Sequence, residues 1–251
     1  MSRRPTPELS ATNRAVLLFT KPAVAGRVKT RLIGALTAGQ ASELHAAFLG
    51  DLVERLSGGR FALIPVWALA AHEPIPEVPP RGRRQEGGDL GQRLRHSFTE
   101  LFFARGGEAR AAFALAIGSD LPELEPRRIE RAFELLASGA DVVCGPARDG
   151  GYYLIGLRAG ALRVPLFEGI AWSTDAVLTQ TLARCRAAGL EVTLLPEEED
   201  IDAAAALERF AGRLAAGECA ACPRTSALLA LWGRASGGEC RGARQEDACV
   251  S

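Results

Sequence analysis

Short apolar runs alternate with amphipathic stretches from Ala15 to about Cys144, and that order leaves few folds open. Residues 15–19 and 112–117 are wholly apolar, as strands buried on both faces are. Thr37 precedes a helical pattern with Gln40 three residues on, the spacing of a capping box. Leu44, Phe48, Leu52 and Leu56 then recur along one helical face, which Gly58 and Gly59 end. Residues 61–70 read as a second strand, and 72–84, with four prolines, as a surface loop. Asp89 is placed to cap a helix running to about residue 105, and Pro126 stands in the first turn of another. Further strands are expected at 141–144, 152–157 and 191–195. Ser173 or Thr174 opens one more helix, and residues 203–216 form the last. Strand and helix in alternation predict an α/β domain: a mostly parallel, mixed sheet with helices on both faces. Ligands of such sheets bind at the carboxyl ends of the strands.

The loop after the first strand carries the strongest chemical signal. Lys21 and Lys29 are the only lysines in a chain whose other basic side chains are all Arg. With Arg27 and Arg31 they put four cations beside the flexible Gly26, a suitable cradle for a polyphosphate. An ammonium can meet a phosphate oxygen from several directions, whereas a guanidinium demands a planar fork. Asp120 directly follows the apolar strand 112–117 and its Gly118-Ser119 end, where a carboxylate can hold a hard divalent cation together with phosphate oxygens. In that position it can also cap the turn at Pro122. Asp149-Gly150-Gly151 lets the backbone approach a ligand closely, and Asp149 is a candidate base, although Asp-Gly is also an ordinary turn signal. Tyr152 and Tyr153 point to opposite faces, one of them toward the crevice. Trp172-Ser173 opens a helix, and Trp172 could wall an acceptor site or simply pack, the commoner role of a Trp. Asp200 and Asp202 flank Ile201 and face one side; Asp202 is either a metal ligand or the cap of the last helix.

Composition narrows the partners. A formal net charge of +0 argues against a general nucleic-acid binder. No apolar run has the ~18 residues of a membrane span, and residues 1–14 form a polar tail without a signal-peptide core. A cytoplasmic protein fits. Of six cysteines, Cys144 and Cys185 fall in apolar patterns. Cys219, Cys222, Cys240 and Cys249 mark an extension over 217–251 that follows the domain at 15–216. Their spacing includes only one close pair, a poor match to structural zinc.

Taken together, Lys21-Pro22 through Arg31-Leu32, Gly88-Asp89-Leu90-Gly91, Gly118-Ser119-Asp120-Leu121-Pro122, the run from Asp149-Gly150-Gly151-Tyr152-Tyr153 to Leu157, and Trp172-Ser173-Thr174 resemble a bacterial family of unknown function. Its members are often labelled GT-A-type glycosyltransferases, and some are linked to arsenosugar biosynthesis. The resemblance covers residues 15 to about 210. It implies a Rossmann-like, nucleotide-diphospho-sugar transferase fold, with nucleotide at Lys21, Gly26, Arg27, Lys29, Arg31 and Asp89. It also implies Mg²⁺ or Mn²⁺ at Asp120, with a second ligand from Asp149 or Asp202, because Asp120 stands alone where such transferases carry Asp-x-Asp. Asp149 would act near an acceptor held by Gly150, Gly151, Tyr152, Trp172 and Ser173. The implied activity is glycosyl transfer from a nucleoside diphosphate sugar to a small acceptor. The basic loop also resembles that of phospholactate guanylyltransferases, which makes nucleotidyl transfer from a nucleoside triphosphate the alternative. A non-catalytic nucleotide-binding protein is a third reading.

Overall fold

A computed structural model describes residues 13–77, 82–103 and 111–238. Among these, seven strands form one sheet: β1 (Arg14–Thr20), β2 (Ala62–Trp67), β3 (Arg83–Arg84), β4 (Phe113–Gly118), β5 (Val142–Pro146), β6 (Tyr152–Arg158) and β7 (Val192–Leu194). Their order is β3-β2-β1-β4-β6-β5-β7. Every pairing is parallel except those of β6, which runs antiparallel to both β4 and β5. The helices are α1 (Ala38–Leu56), α2 (Leu90–Phe102), α3 (Pro126–Ala137), α4 (Val177–Ala187), α5 (Ala204–Ala216) and α6 (Pro223–Gly238). The expected mixed, mostly parallel sheet with helices on both faces is the observed one.

Strand alternation sorts the core into two layers. Ala15 and Leu17 of β1 join Phe98 and Leu101 of α2 and Cys185 of α4 on one face. Val16 and Leu18 join Leu52 and Leu56 of α1 and Phe133 and Leu136 of α3 on the other. Local signals hold where they were strongest. Thr37 and Gln40 make the reciprocal capping box of α1, Asp89 accepts from the Gln92 N–H at the start of α2, and Pro126 opens α3.

Four expectations change. The proline-rich loop contains Arg83–Arg84, which pairs with the end of β2 as an edge strand. The helix expected at Ser173 or Thr174 begins at Val177, because Thr174 instead spends its hydroxyl within the preceding turn, on Ala171 O and Ala176 N. Asp202 does not cap α5: Ala203 holds that position, and Asp202 pairs with Arg31. The extension carries α6, whose first amides at Arg224 and Thr225 both donate to the buried carboxylate of Asp51 on α1. Phe48, Phe210 and Cys222 close a third apolar cluster beneath it. Cys240, Cys249 and most of the expected polar tail lie outside the described residues. No helix among the described residues is long and apolar enough to cross a membrane.

Candidate functional site

The carboxyl ends of β1, β2 and β4 open into a cavity of about 770 Å³. The β5–β6 turn, the approach to α4 and the segment before α5 complete its walls. Lys21, Lys29, Arg31, Asp120, Asp149, Gly151, Tyr152, Trp172, Ser173 and Asp202 all line it. Residues far apart in sequence thus meet in one space, as the strand-end argument requires. Gly26, Arg27, Asp89 and Gly150 do not line it. Gly26 takes φ 77° in the basic loop. Arg27 is turned aside into a two-pronged ion pair with Glu73, which holds the Glu73 carboxyl at about 2. Asp89 is committed to its cap. Gly150, at φ 85°, supports the turn from behind: a Cβ there would lie 2.2 Å from the Asp175 carbonyl oxygen.

Lys29 occupies an unexpected setting. It is one of two non-glycine residues with positive φ among the described residues, at 48°; the other, Ser173 at 65°, stands across the same cavity. Strained backbone of this kind persists only where its surroundings enforce it, and it concentrates at ligand sites. The Lys29 side chain is 2% exposed. Its ammonium sits 2.7 Å from Asp120 Oδ1, donates to the Ile201 carbonyl and lies 4.8 Å from the centre of the Phe48 ring. Burial would raise the Asp120 carboxyl, but the Lys29 ammonium overrides it and holds the carboxyl below its usual range. Arg31, more exposed, reaches Asp202 at 2.7 Å.

On the acidic side, Asp149 Oδ1 accepts from the Gly151 N–H at 2.9 Å, which fixes the turn. Leu178 N–H, in the first turn of α4, donates to Gly150 O and locks that turn to the helix. Tyr152 packs with the apolar layer on one face and Tyr153 is buried on the other, where its hydroxyl reaches Pro196 O. Trp172 lies over Gly91, where an added Cβ would come within 2.9 Å of the indole. Lining residues outside the candidate set read from the sequence include three polar groups. Asp200 is pushed up to about 7 by burial and then by the Asp120, Asp149 and Asp202 carboxylates. Its signal was present: Asp200 and Asp202 alternate around a buried Ile201. His45 and Gln85 are the others. His45 interrupts the apolar face of α1 between Leu44 and Phe48, a pattern that ordinarily marks a satisfied core histidine.

Among the described residues no three His, Cys, Asp or Glu side chains are placed to hold a metal ion unaided. Lys21, Lys29 and Arg31 of the basic loop line the same cavity as the carboxylates of Asp120, Asp149, Asp200 and Asp202.

Residues 78–174 match the family described as "Uncharacterized protein conserved in bacteria (DUF2064)". The matched segment holds the Asp120, Asp149 and Trp172 motifs, so the resemblance to a bacterial family of unknown function stands. The chain is also similar to the crystal structure of a candidate nucleotide-diphospho-sugar transferase from Desulfovibrio desulfuricans G20. The two share 29% identity over 77% of this chain and 84% of the other, at a TM-score of 0.69. The fold recurs in a cytidylyltransferase from Leptospira borgpetersenii serovar Hardjo-bovis, with 10% identity, 94% and 100% coverage and a TM-score of 0.53. It recurs again in a CMP:2-keto-3-deoxy-manno-octonic acid synthetase complexed with CTP, with 12% identity, 81% and 99% coverage and a TM-score of 0.51. No curated protein sequence matches the chain. The architecture is that of nucleotide-diphospho-sugar transferases and their relatives.

Proposed function

We propose that this chain is a nucleotide-dependent transferase that moves a sugar from a nucleoside diphosphate sugar to a small acceptor. The observation that carries the reading is the mixed charge of one cavity. Lys21 and Arg93 line it together with Asp149, Asp175 and Asp200. Lys21 binds the donor diphosphate as a compact point charge. Arg31 stands at the mouth, where it can exchange Asp202 for a phosphate oxygen.

The carboxylates fit a divalent cation. Asp200 is raised by its acidic neighbours, a crowding that a cation relieves. Mg²⁺ or Mn²⁺ needs only one or two protein carboxylates when phosphates complete its shell. Asp200 would hold it together with Asp120, whose carboxylate would be shared with Lys29. The ion would neutralise charge on the departing diphosphate. The acceptor lies between Asp149, Gly151, Trp172 and Ser173. As the acceptor oxygen bonds to the anomeric carbon and the bond to the diphosphate breaks, Asp149 takes the acceptor proton, its carboxylate already oriented by the Gly151 amide. The four free cysteines among the described residues, Cys144, Cys185, Cys219 and Cys222, suit a cytoplasmic protein.

One feature favours nucleotidyl transfer as a second reading. Gly118 stands two residues before Asp120, so the acidic pair of many sugar transferases is missing. The same cations would then stabilise a leaving pyrophosphate. Incubation with a panel of nucleoside diphosphate sugars and nucleoside triphosphates, with Mg²⁺ or Mn²⁺, separates the two. Nucleoside diphosphate release dependent on an added acceptor supports sugar transfer, and pyrophosphate release supports the second reading. If the protein binds no nucleotide at all, both fail.

A further inference from the structure

The cavity floor contains a buried polar group that the proposed chemistry leaves unused. His45, Thr20 and Ser119 are each 4% exposed, and they come from α1, the end of β1 and the residue after β4. His45 Nε2 lies 3.0 Å from the Lys21 carbonyl oxygen and 3.4 Å from Thr20 Oγ1. Thr20 Oγ1 donates to Ser119 Oγ at 3.2 Å. A carbonyl only accepts, so Nε2 must carry the proton and donate to Lys21 O. Burial lowers the affinity of His45 for a second proton, so the ring serves as a neutral donor. Three apolar side chains would fill this space without the desolvation cost of polar groups. What the polar trio adds is geometry: it fixes the backbone of Lys21 and the side chain of Ser119, the residue before Asp120.

We infer that His45 is a positioning residue which, through the Lys21 carbonyl and the Thr20–Ser119 hydroxyl pair, sets the spacing between the phosphate-binding Lys21 and the carboxylate of Asp120. This rests on the proposed nucleotide site. His45 itself touches no phosphate; it acts through Lys21. Gln can reproduce an Nε2 donor at similar reach, whereas Ala cannot.

The test is titration of CTP and GTP with Mg²⁺ into the full chain by calorimetry, with melting temperatures measured alongside. Variants are His45→Ala, His45→Gln, Lys21→Ala and the double variant His45→Ala/Lys21→Ala. Loss of one buried hydrogen bond that orders the loop should weaken the nucleotide bound by the parent by about tenfold in His45→Ala. His45→Gln should recover most of that affinity. In the Lys21→Ala background, His45→Ala should change affinity by less than about twofold, since coupled sites are not additive. Undiminished affinity in His45→Ala, or a full tenfold loss in the Lys21→Ala background, would overturn the inference while leaving the nucleotide site intact. Failure of His45→Gln to recover affinity, at a parental melting temperature, would overturn it too. A parent that binds neither nucleotide removes the functional reading for these bases, and this inference with it.

Discussion

Replacing Lys29 by Met keeps the length of the side chain and removes its charge. In the folded protein the Lys29 ammonium holds Asp120 Oδ1 at 2.7 Å, donates to the Ile201 carbonyl and faces the Phe48 ring. Breaking a fully buried pair costs ~3–5 kcal/mol. The Asp120 side chain is 43% exposed, so water takes over part of its solvation and the cost falls. The thioether retains favourable contact with Phe48. A net loss of ~2–3 kcal/mol is expected, in line with one strong charge-assisted bond. For a domain of this size that lowers the melting temperature by ~4–12 °C. The assay is thermal unfolding without ligand at pH 7.5, followed by circular dichroism. Acid supplies a second check. The folded-state Asp120 carboxyl lies below its unfolded value, so the pair contributes fully at neutral pH. The contribution is lost as pH falls from ~4 through the depressed folded value. The gap between parent and variant should therefore narrow toward pH 3. Equal melting at pH 7.5 would show that Lys29 is a solvated loop residue, and a gap that persists unchanged in acid would show that its contribution does not come from the Asp120 charge.

Three further outcomes are expected. Asp200 is raised to about 7, so the folded state holds its proton more tightly than the unfolded chain, and stability contributed below pH ~4 declines as pH rises toward 7. Asp200→Asn should flatten that decline in urea titrations across this range, and should abolish any gain in nucleotide affinity from Mg²⁺. Gly150→Ala meets both φ 85° and the Asp175 backbone; a loss of at least ~1–3 kcal/mol is expected in chemical denaturation, with turnover reduced through displacement of Asp149. Asp51→Ala strips the partners of Arg224 N, Thr225 N and Thr225 Oγ1 and should cost ~2–4 kcal/mol, whereas unchanged stability would mean that α6 docks without help from this carboxylate.

Much of the fold could be read in advance because the signals were local. A wholly apolar run is a central strand almost regardless of context, and the caps at Thr37, Asp89 and Pro126 depend only on near neighbours. The cavity followed from topology, since parallel strands bring their carboxyl ends to one edge. Side-chain commitments could not be read, because they are decided across long separations. Lys29 looked like a loop cation until Ile201 and Asp120 enclosed it. Asp202 looked like a cap until Arg31 reached it, and Arg27 looked like a phosphate ligand until Glu73 claimed it. Asp200 is perturbed by three acids drawn from three segments, a sum that no spacing reveals. Helix α6 was missed because its amphipathic pattern is weak and its anchor, Asp51, lies on another helix.

That anchor carries a consequence for how the chain is made. Asp51 and its partner amide at Arg224 are 173 residues apart. Translation at ~5–20 residues per second separates their appearance by ~9–35 s. Throughout that interval the Asp51 carboxylate has no partner amide, and Leu44 and Phe48 await Ile201, Leu207 and Phe210 for most of it. Closure of this side of α1 thus waits for a segment far downstream of it in the chain. A chain cut short before Pro223 should behave as a chaperone client and not as a shorter version of the same protein.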